Sequence, residues 1–344
     1  MITPKNILIV RTDRIGDVIL TIPLAEIIKK FYPQSKITFF IREYTKDLFY
    51  DHPFVDKIIL LKQRNGKILF GDNLREIANN NFDVVLCVSP SFILSLILLF
   101  SKIKIRVGTG YRWYSFLFNR RINEHRKYGT KHELDHNVRL LKGMGIDFAP
   151  DESNVSFNIQ TEDKNEQYIS SLLKNQKLNS GLPTIIIHPG SSGSAIDLPI
   201  SKFKQLAEMV AQQLNVNIIV TGSSKEKEIC GYLSKNIDAH NFAGLLNLGE
   251  LIVLIKNADL LIANSTGPIH IAAALGKNVI GFYPKIKACS VTRWGPYTKK
   301  KHIFSPTILC ENCTRKQCQK LDCMNSIDVN KVFEKVKEIF SKLS

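Results

Sequence analysis

No stretch of this chain is long and apolar enough to cross a bilayer. The nearest run, residues 84–100, is interrupted by Ser89, Pro90, Ser91 and Ser95. It also falls short of the roughly 20 residues that a spanning helix needs. It reads instead as a buried strand at 83–87, a turn at Pro90 and an apolar helix from Phe92. No leader-like segment precedes the first apolar run, so a soluble, cytoplasmic protein is expected. Neither half carries a G-x-G-x-x-G fingerprint, which argues against a dehydrogenase. Cysteine is scarce outside one cluster: Cys87, Cys230 and Cys289 are scattered, the first two in apolar stretches where the residue acts as a small hydrophobe. Acidic residues are the other shortage. Against 31 Asp and Glu stand 47 Lys and Arg, a formal charge of +16, which calls for an anionic partner. Nucleic acid, a phospholipid surface and a phosphorylated glycan all satisfy that.

What is present is an alternation of strand and helix. At 344 residues two domains are the natural expectation. The first half reads as strands at Asn6–Val10, Lys36–Ile41, 57–61, 83–87 and 103–108, with helices at 18–31, 45–50, 74–78 and from Phe92. Its strands are apolar on both faces, as a parallel sheet covered by helices requires. A basic loop at 111–132 precedes a helix at 134–144, and the polar segment 160–179 looks like a joint. The second half repeats the rhythm from Thr184–His188 to Asn278–Phe282. The expected division is 1–160, 161–325 and a terminal helical segment 326–344.

Three stretches carry chemistry. Residues 11–23, Arg-Thr-Asp-Arg-Ile-Gly-Asp-Val-Ile-Leu-Thr-Ile-Pro, follow the first strand. Gly16 lets the chain turn, and Asp17 falls near a helix N-terminus, where a carboxylate is favoured by the dipole; by spacing alone it reads as an N-cap. In the second half, His188-Pro189-Gly190-Ser191-Ser192 follows a strand directly, and such a turn presents N–H groups and hydroxyls to a phosphate or merely closes a tight connection. Further on, Asn264-Ser265-Thr266-Gly267-Pro268-Ile269-His270 ends a strand and opens a helix whose first N–H groups suit a diphosphate. Glu226 opens another helix and offers a carboxylate to vicinal hydroxyls or to the helix itself.

Taken together these stretches resemble the bacterial heptosyltransferases, glycosyltransferase family 9, over nearly the whole chain. The resemblance implies a GT-B architecture, two Rossmann-like domains facing a cleft, and a last helix that packs back across it. It implies an inverting, metal-independent transferase that moves a heptose or related sugar from a nucleotide-sugar, in the usual case ADP-heptose, to a lipopolysaccharide core or similar acceptor. Asp17 is then the general base, with Gly16 and Arg14 beside the acceptor. Ser191, Ser192, Glu226, Ser265, Thr266, Gly267 and His270 hold the donor. Two departures stand out: the family commonly has an acidic residue at Ser265 and a basic one near Ile196. They leave open a different donor sugar, or an inactive relative that binds nucleotide or glycan without turnover.

Two further features complete the reading. The basic loop carries Arg120, Arg121, Arg126 and Lys127 interleaved with aromatics. It suits the carboxylates and phosphates of an anionic, lipid-linked glycan, with peripheral contact at the inner face of the inner membrane and no role for nucleic acid. Cys310, Cys313, Cys318 and Cys323 form C-x2-C-x4-C-x4-C, a spacing that suits structural zinc or iron or four reduced thiols. No cofactor is expected for catalysis.

Overall fold

The computed structural model describes residues 4–191, 193–309 and 313–342, with Lys127 described in its backbone alone. The chain divides into two units, Met1–Gln160 and Thr161–Ser344. The first begins with β1 (Asn6–Val10), α1 (Ile15–Ile19), α2 (Pro23–Phe31), β2 (Lys36–Ile41) and β3 (Lys57–Leu60), then a small hairpin of β4 (Gln63–Arg64) and β5 (Lys67–Ile68). It continues with α3 (Phe70–Ala78), β6 (Val84–Cys87), α4 (Phe92–Phe100), β7 (Ile105–Thr109), β8 (Arg120–Ile122) and α5 (Glu133–Arg139). The second begins with α6 (Asp163–Asn175), β9 (Thr184–His188), α7 (Ile200–Gln213), β10 (Asn217–Val220), α8 (Lys227–Ser234), β11 (His240–Asn241) and α9 (Leu248–Lys256). It ends with β12 (Leu260–Asn264), α10 (Gly267–Ala274), β13 (Asn278–Phe282), α11 (Val291–Trp294), β14 (Lys301–Phe304), α12 (Arg315–Lys320) and α13 (Val329–Ser341).

Each unit holds one six-stranded sheet, β3-β2-β1-β6-β7-β8 in the first and β11-β10-β9-β12-β13-β14 in the second. All pairings within them are parallel. The central strands bury both faces: Ile7, Leu8, Ile9 and Val10 are fully enclosed, as are Ile185, Ile186 and Ile187. In both sheets the order reverses beside the first strand, between β1 and β6 and between β9 and β12. Connections leave in opposite directions there, so a crevice opens at the carboxyl ends of those strands, which is where open α/β sheets take ligands.

Several expectations change in detail. The helix expected over 18–31 is two helices, because Pro23 opens α2 and cannot donate the bond that would continue α1. Leu20, Thr21 and Ile22 form the turn between them, and the Thr21 hydroxyl donates to the Asp17 carbonyl at 2.8 Å. Within the basic loop β8 adds an edge strand, and β14 adds one in the second unit. The polar joint is largely the amphipathic helix α6, which lays Ile169 against α9 and ties Lys256 to Glu166 at 2.8 Å.

The terminal helix α13 belongs to the core of the second unit. Val329, Val332, Phe333, Val336 and Phe340 recur at helical spacing and join Phe203, Leu206 and Val210 of α7 in one apolar cluster. Asp328 caps it, accepting from the Asn330 N–H at 2.9 Å. Phe333 is buried to 1% exposure. Phe333→Ala should therefore lower the stability of this unit by about 3–5 kcal/mol, read by urea unfolding. A loss within the range of a surface substitution would mean that the helix is not packed as described.

Candidate active site

In the first unit the chain leaves β1 at Arg11, whose guanidinium is only 2% exposed. A buried cation is tolerated only when its charge and its N–H donors are met. The charge and the terminal N–H groups of Arg11 are met by side chains from two segments far apart in the chain, while its Nε makes no hydrogen bond. Arg11 pairs with Asp17 on α1, with Asp13 at 3.4 Å and with Glu133 at the start of α5 at 3.3 Å, and it donates to the Asn137 side-chain oxygen at 3.3 Å. Arg126 closes the far side, pairing with Glu133 and donating to Asn137 at 3.2 Å. Asn137 in turn donates to the Leu20 carbonyl at 2.8 Å. On the other flank, the Ser89 hydroxyl beyond β6 donates to Asp13 at 2.6 Å. That bond joins the loops on the two sides of the switch point.

Asp17 is not an N-cap: Arg14 holds that position without a side-chain bond. Its carboxylate instead points to Arg11 and is 17% exposed, so it reaches solvent while being held from behind. Burial raises its pKa first of all; Arg11 opposes the rise, and the charges of Asp13 and Glu133 add to it. Two guanidinium groups face three carboxylates here, so one negative charge is in excess. A carboxylate so placed is a better proton acceptor than one in water.

At the equivalent crevice of the second unit the two turns are clamped to each other by neutral groups. Asn264 at the end of β12 is fully buried; its amide donates to the Pro189 carbonyl at 2.6 Å and its oxygen accepts from the Leu198 N–H at 2.9 Å. The Ser194 hydroxyl donates to the Ser265 carbonyl at 2.7 Å. The turn after β9 is thus clamped to the turn after β12. Gly193 has φ +73°, a left-handed conformation that glycine adopts without strain. Arg315 of α12 donates to the carbonyls of Gly193 and Ala195 from outside. Thr266 is the N-cap residue of α10 but makes no side-chain capping bond, so the first-turn N–H groups are not closed by it.

Behind the turn, His188 is buried and neutral, its pKa pushed down to about 4, and it shares a hydrogen bond with Thr221 at 3.0 Å. Glu226 accepts from the Ser223 N–H and hydroxyl at 2.7 and 2.8 Å. Its other oxygen sits so close to Gly190 that a Cβ there would lie 1.8 Å away. Glu226 and the His188–Ser191 turn therefore share one pocket wall.

The residues singled out from the sequence thus fall at both switch points. Asp17, Gly16 and Arg14 lie at the first, Arg14 being exposed. Ser191, Glu226, Ser265, Thr266, Gly267 and His270 lie at the second, with Ser191, Ser265 and His270 buried; Ser192 is outside the described residues. Ser265 is buried, its carbonyl accepting from Ser194, while the Tyr283 hydroxyl donates to the Trp294 carbonyl at 3.0 Å; Ile196 packs into apolar clusters. The basic quartet does not converge. Arg120 and Arg121 are consecutive on β8 and so point to opposite faces, while Arg126 is drawn into the Arg11 network. Lys127's side chain lies outside the described part. Asp13, Glu133, Asn137, Asp197 and Arg315 were missed. Asp197 lies beside Ser191 with its carboxyl pKa raised by burial.

Among the described residues no group of three or more His, Cys, Asp or Glu is arranged to hold a metal, so the cysteine loop gains no support as a metal centre. Cys318 and Cys323 are buried neighbours, and burial raises the pKa of Cys318. Cys313 packs against them, and Cys310 is outside the described residues.

Solved structures with this pair of sheets place the fold. A family 9 glycosyltransferase from Veillonella parvula matches with a TM-score of 0.82 at 19% identity, over 98% of this chain and 97% of that one. The ADP-heptose heptosyltransferase II of E. coli matches with a TM-score of 0.77 at 18% identity, over 98% and 99%. The class is the α/β GT-B fold. The model of glycosyltransferase family 9 (heptosyltransferase) matches residues 72–324, and the chain belongs to that family. The lipopolysaccharide core heptosyltransferase OpsX of Haemophilus influenzae is 28% identical over 88% of this chain and 84% of its own length. The resemblance read from the sequence is borne out. The family match begins after Asp17, so the first-unit site rests on its own geometry.

Proposed function

We propose that the protein transfers a heptose or a related sugar from a nucleotide-sugar, with ADP-heptose as the first candidate, to a lipopolysaccharide core or similar lipid-linked glycan. The observation that carries the reading is the Asp17 carboxylate, reachable by solvent, held from behind by Arg11 and raised in pKa. In the proposed step the acceptor oxygen attacks the anomeric carbon and Asp17 takes its proton. The bond from that carbon to the diphosphate breaks, and the nucleoside diphosphate leaves with the electron pair. Attack opposite the leaving group inverts the anomeric centre. The departing charge is met by the N–H groups of the Ser191 turn and of the α10 N-terminus, without a metal ion. Glu226 takes the ribose hydroxyls, and Arg14 with the exposed Arg120 and Arg121 meets the anionic acceptor. Work on a lipid-linked acceptor puts the protein at the cytoplasmic face of the inner membrane.

Ser265 and Ile196 favour a donor held differently from the family's usual pattern, because Ser265 is buried and uncharged and Ile196 is packed in apolar clusters. A panel of nucleotide-sugars tests this. With a lipid A–Kdo-type acceptor, release of nucleoside diphosphate is expected from ADP-heptose above the other donors. Release from a different donor would keep the mechanism and change the sugar; binding without release from any would leave an inactive relative.

The second unit has its own test. In Gly190→Ala the new methyl group displaces the Glu226 side chain, a flexible end, so the fold should survive. Affinity for ADP by calorimetry should fall by about tenfold or more, the loss of one charge-assisted hydrogen-bonding group. Unchanged affinity with an unchanged melting temperature would place the nucleotide elsewhere.

A further inference from the structure

One surface of the first unit is not explained by sugar transfer. Helix α4 presents Phe92, Ile93 and Phe100 on its outer side, at positions i, i+1 and i+8, which lie along one stripe about 12 Å long. Trp113 extends the stripe at one end, its ring 4.8 Å from that of Phe92, and is 73% exposed. Phe116, 65% exposed, lies in the turn that packs against α4. At the other end Phe70 meets Phe100 edge-on at 6.2 Å. Isolated exposed apolar residues are ordinary, but a contiguous aromatic strip of this kind marks a contact surface.

The stretch that supplies most of the strip carries charge of one sign, with Asp72 and Glu76 of α3 as the acids at the Phe70 end. From residue 84 to residue 123 the chain has no Asp or Glu, while Lys102, Lys104, Arg106, Arg112, Arg120 and Arg121 lie in the same stretch. Arg106 is spent internally, donating to the Ile103 and Leu117 carbonyls. Lys102 follows α4 at the Phe100 end, and Arg112 precedes Trp113 at the other; both are exposed. Aromatic side chains flanked by cations suit the headgroup layer of an anionic bilayer, where the rings enter the interface and the cations meet phosphate. A second copy of the chain fits poorly, because a two-fold contact would set the same cations against each other. Spanning is excluded for this segment: α4 has nine residues, and no helix among the described residues is long and apolar enough to cross.

We infer that the α4–Trp113 face docks the first unit onto an anionic phospholipid surface. This deepens the proposed function, since a lipid-linked acceptor lies on such a surface, but it is tested separately. The probe is vesicles of phosphatidylcholine alone and vesicles doped with phosphatidylglycerol, with co-sedimentation of the full chain as the readout. The protein should bind the doped vesicles, bind the neutral ones weakly, and be released as salt rises. Trp113→Ser combined with Phe116→Ser should weaken binding by about tenfold or more. Lys102→Glu combined with Arg112→Glu should weaken it by about fivefold per cation, and only on the doped vesicles. Neither pair should alter transfer to a soluble, deacylated acceptor. Failure of the wild type to bind doped vesicles at low salt, or binding indifferent to both pairs, would overturn the inference. So would a dimer in sedimentation velocity that the aromatic pair dissolves while vesicles remain unbound. Vesicle binding through this face by a protein that transfers nothing would sink the sugar-transfer reading alone.

Discussion

The ion network around Arg11 is the constraint on which the first unit's site depends. Taking a guanidinium out of water costs several kcal/mol even after relaxation, and arginine cannot escape by losing its proton. Arg11 is kept in place because carboxylates from α1, the first loop and α5 surround it, and Asn137 fills a remaining donor direction. The consequence runs both ways. Asp17 is fixed in one orientation by a charge-assisted bond, while burial first, and the charges of Asp13 and Glu133 after it, keep Arg11 from lowering its pKa to that of a simple ion pair. A carboxylate that is positioned yet still basic is what proton removal from a hydroxyl requires. Arg126 extends the same balance by sharing Glu133, which draws it away from any ligand it was expected to meet.

The second unit solves a different problem with the same topology. Its ligand is proposed to be an anion, and buried carboxylates near it would repel. Asn264, uncharged and fully enclosed, therefore does the clamping there, and backbone N–H groups are left to face the crevice. Asp197 is an apparent exception. Its pKa is raised by burial first and by the charge of Glu226, with the neighbouring Ser191 hydroxyl and the charge of Arg315 pulling the other way. The two switch points are thus equivalent in backbone and differ in what clamps them, ion pairs around Arg11 in the first and the uncharged Asn264 in the second.

Much of this was legible in the sequence, and the omissions have physical causes. Runs such as 6–10 and 184–188 are apolar on both faces, which identified the central strands, while the strand order and its switch points are visible only in the structure. The edge strands β8 and β14 gave no such signal: β8 is Arg-Arg-Ile and β14 begins with Lys-His, because an edge faces solvent and is protected by charge. Apolar periodicity ran straight through Pro23, hiding the break between α1 and α2. Asp17 and Thr266-Gly267 were found because they are local to a strand–turn–helix motif. Glu133 was not, since it meets Arg11 across 122 residues of chain and no spacing announces that pairing. The same holds for Arg315, which reaches the Gly193 carbonyl from 122 residues away. The basic quartet misled for the converse reason: nearness in sequence hid the alternation of a strand and the pull of a buried carboxylate.

The central claim is that Asp17 removes the acceptor proton, and single-turnover kinetics on Asp17→Asn tests it most directly. Asparagine keeps the size and can still accept a hydrogen bond from Arg11, but it cannot take a proton. The sugar-transfer rate should fall by about 10²–10⁴-fold while affinity for the donor nucleotide, bound by the other unit, stays as in the wild type. A folded variant that transfers sugar at the wild-type rate would contradict the account.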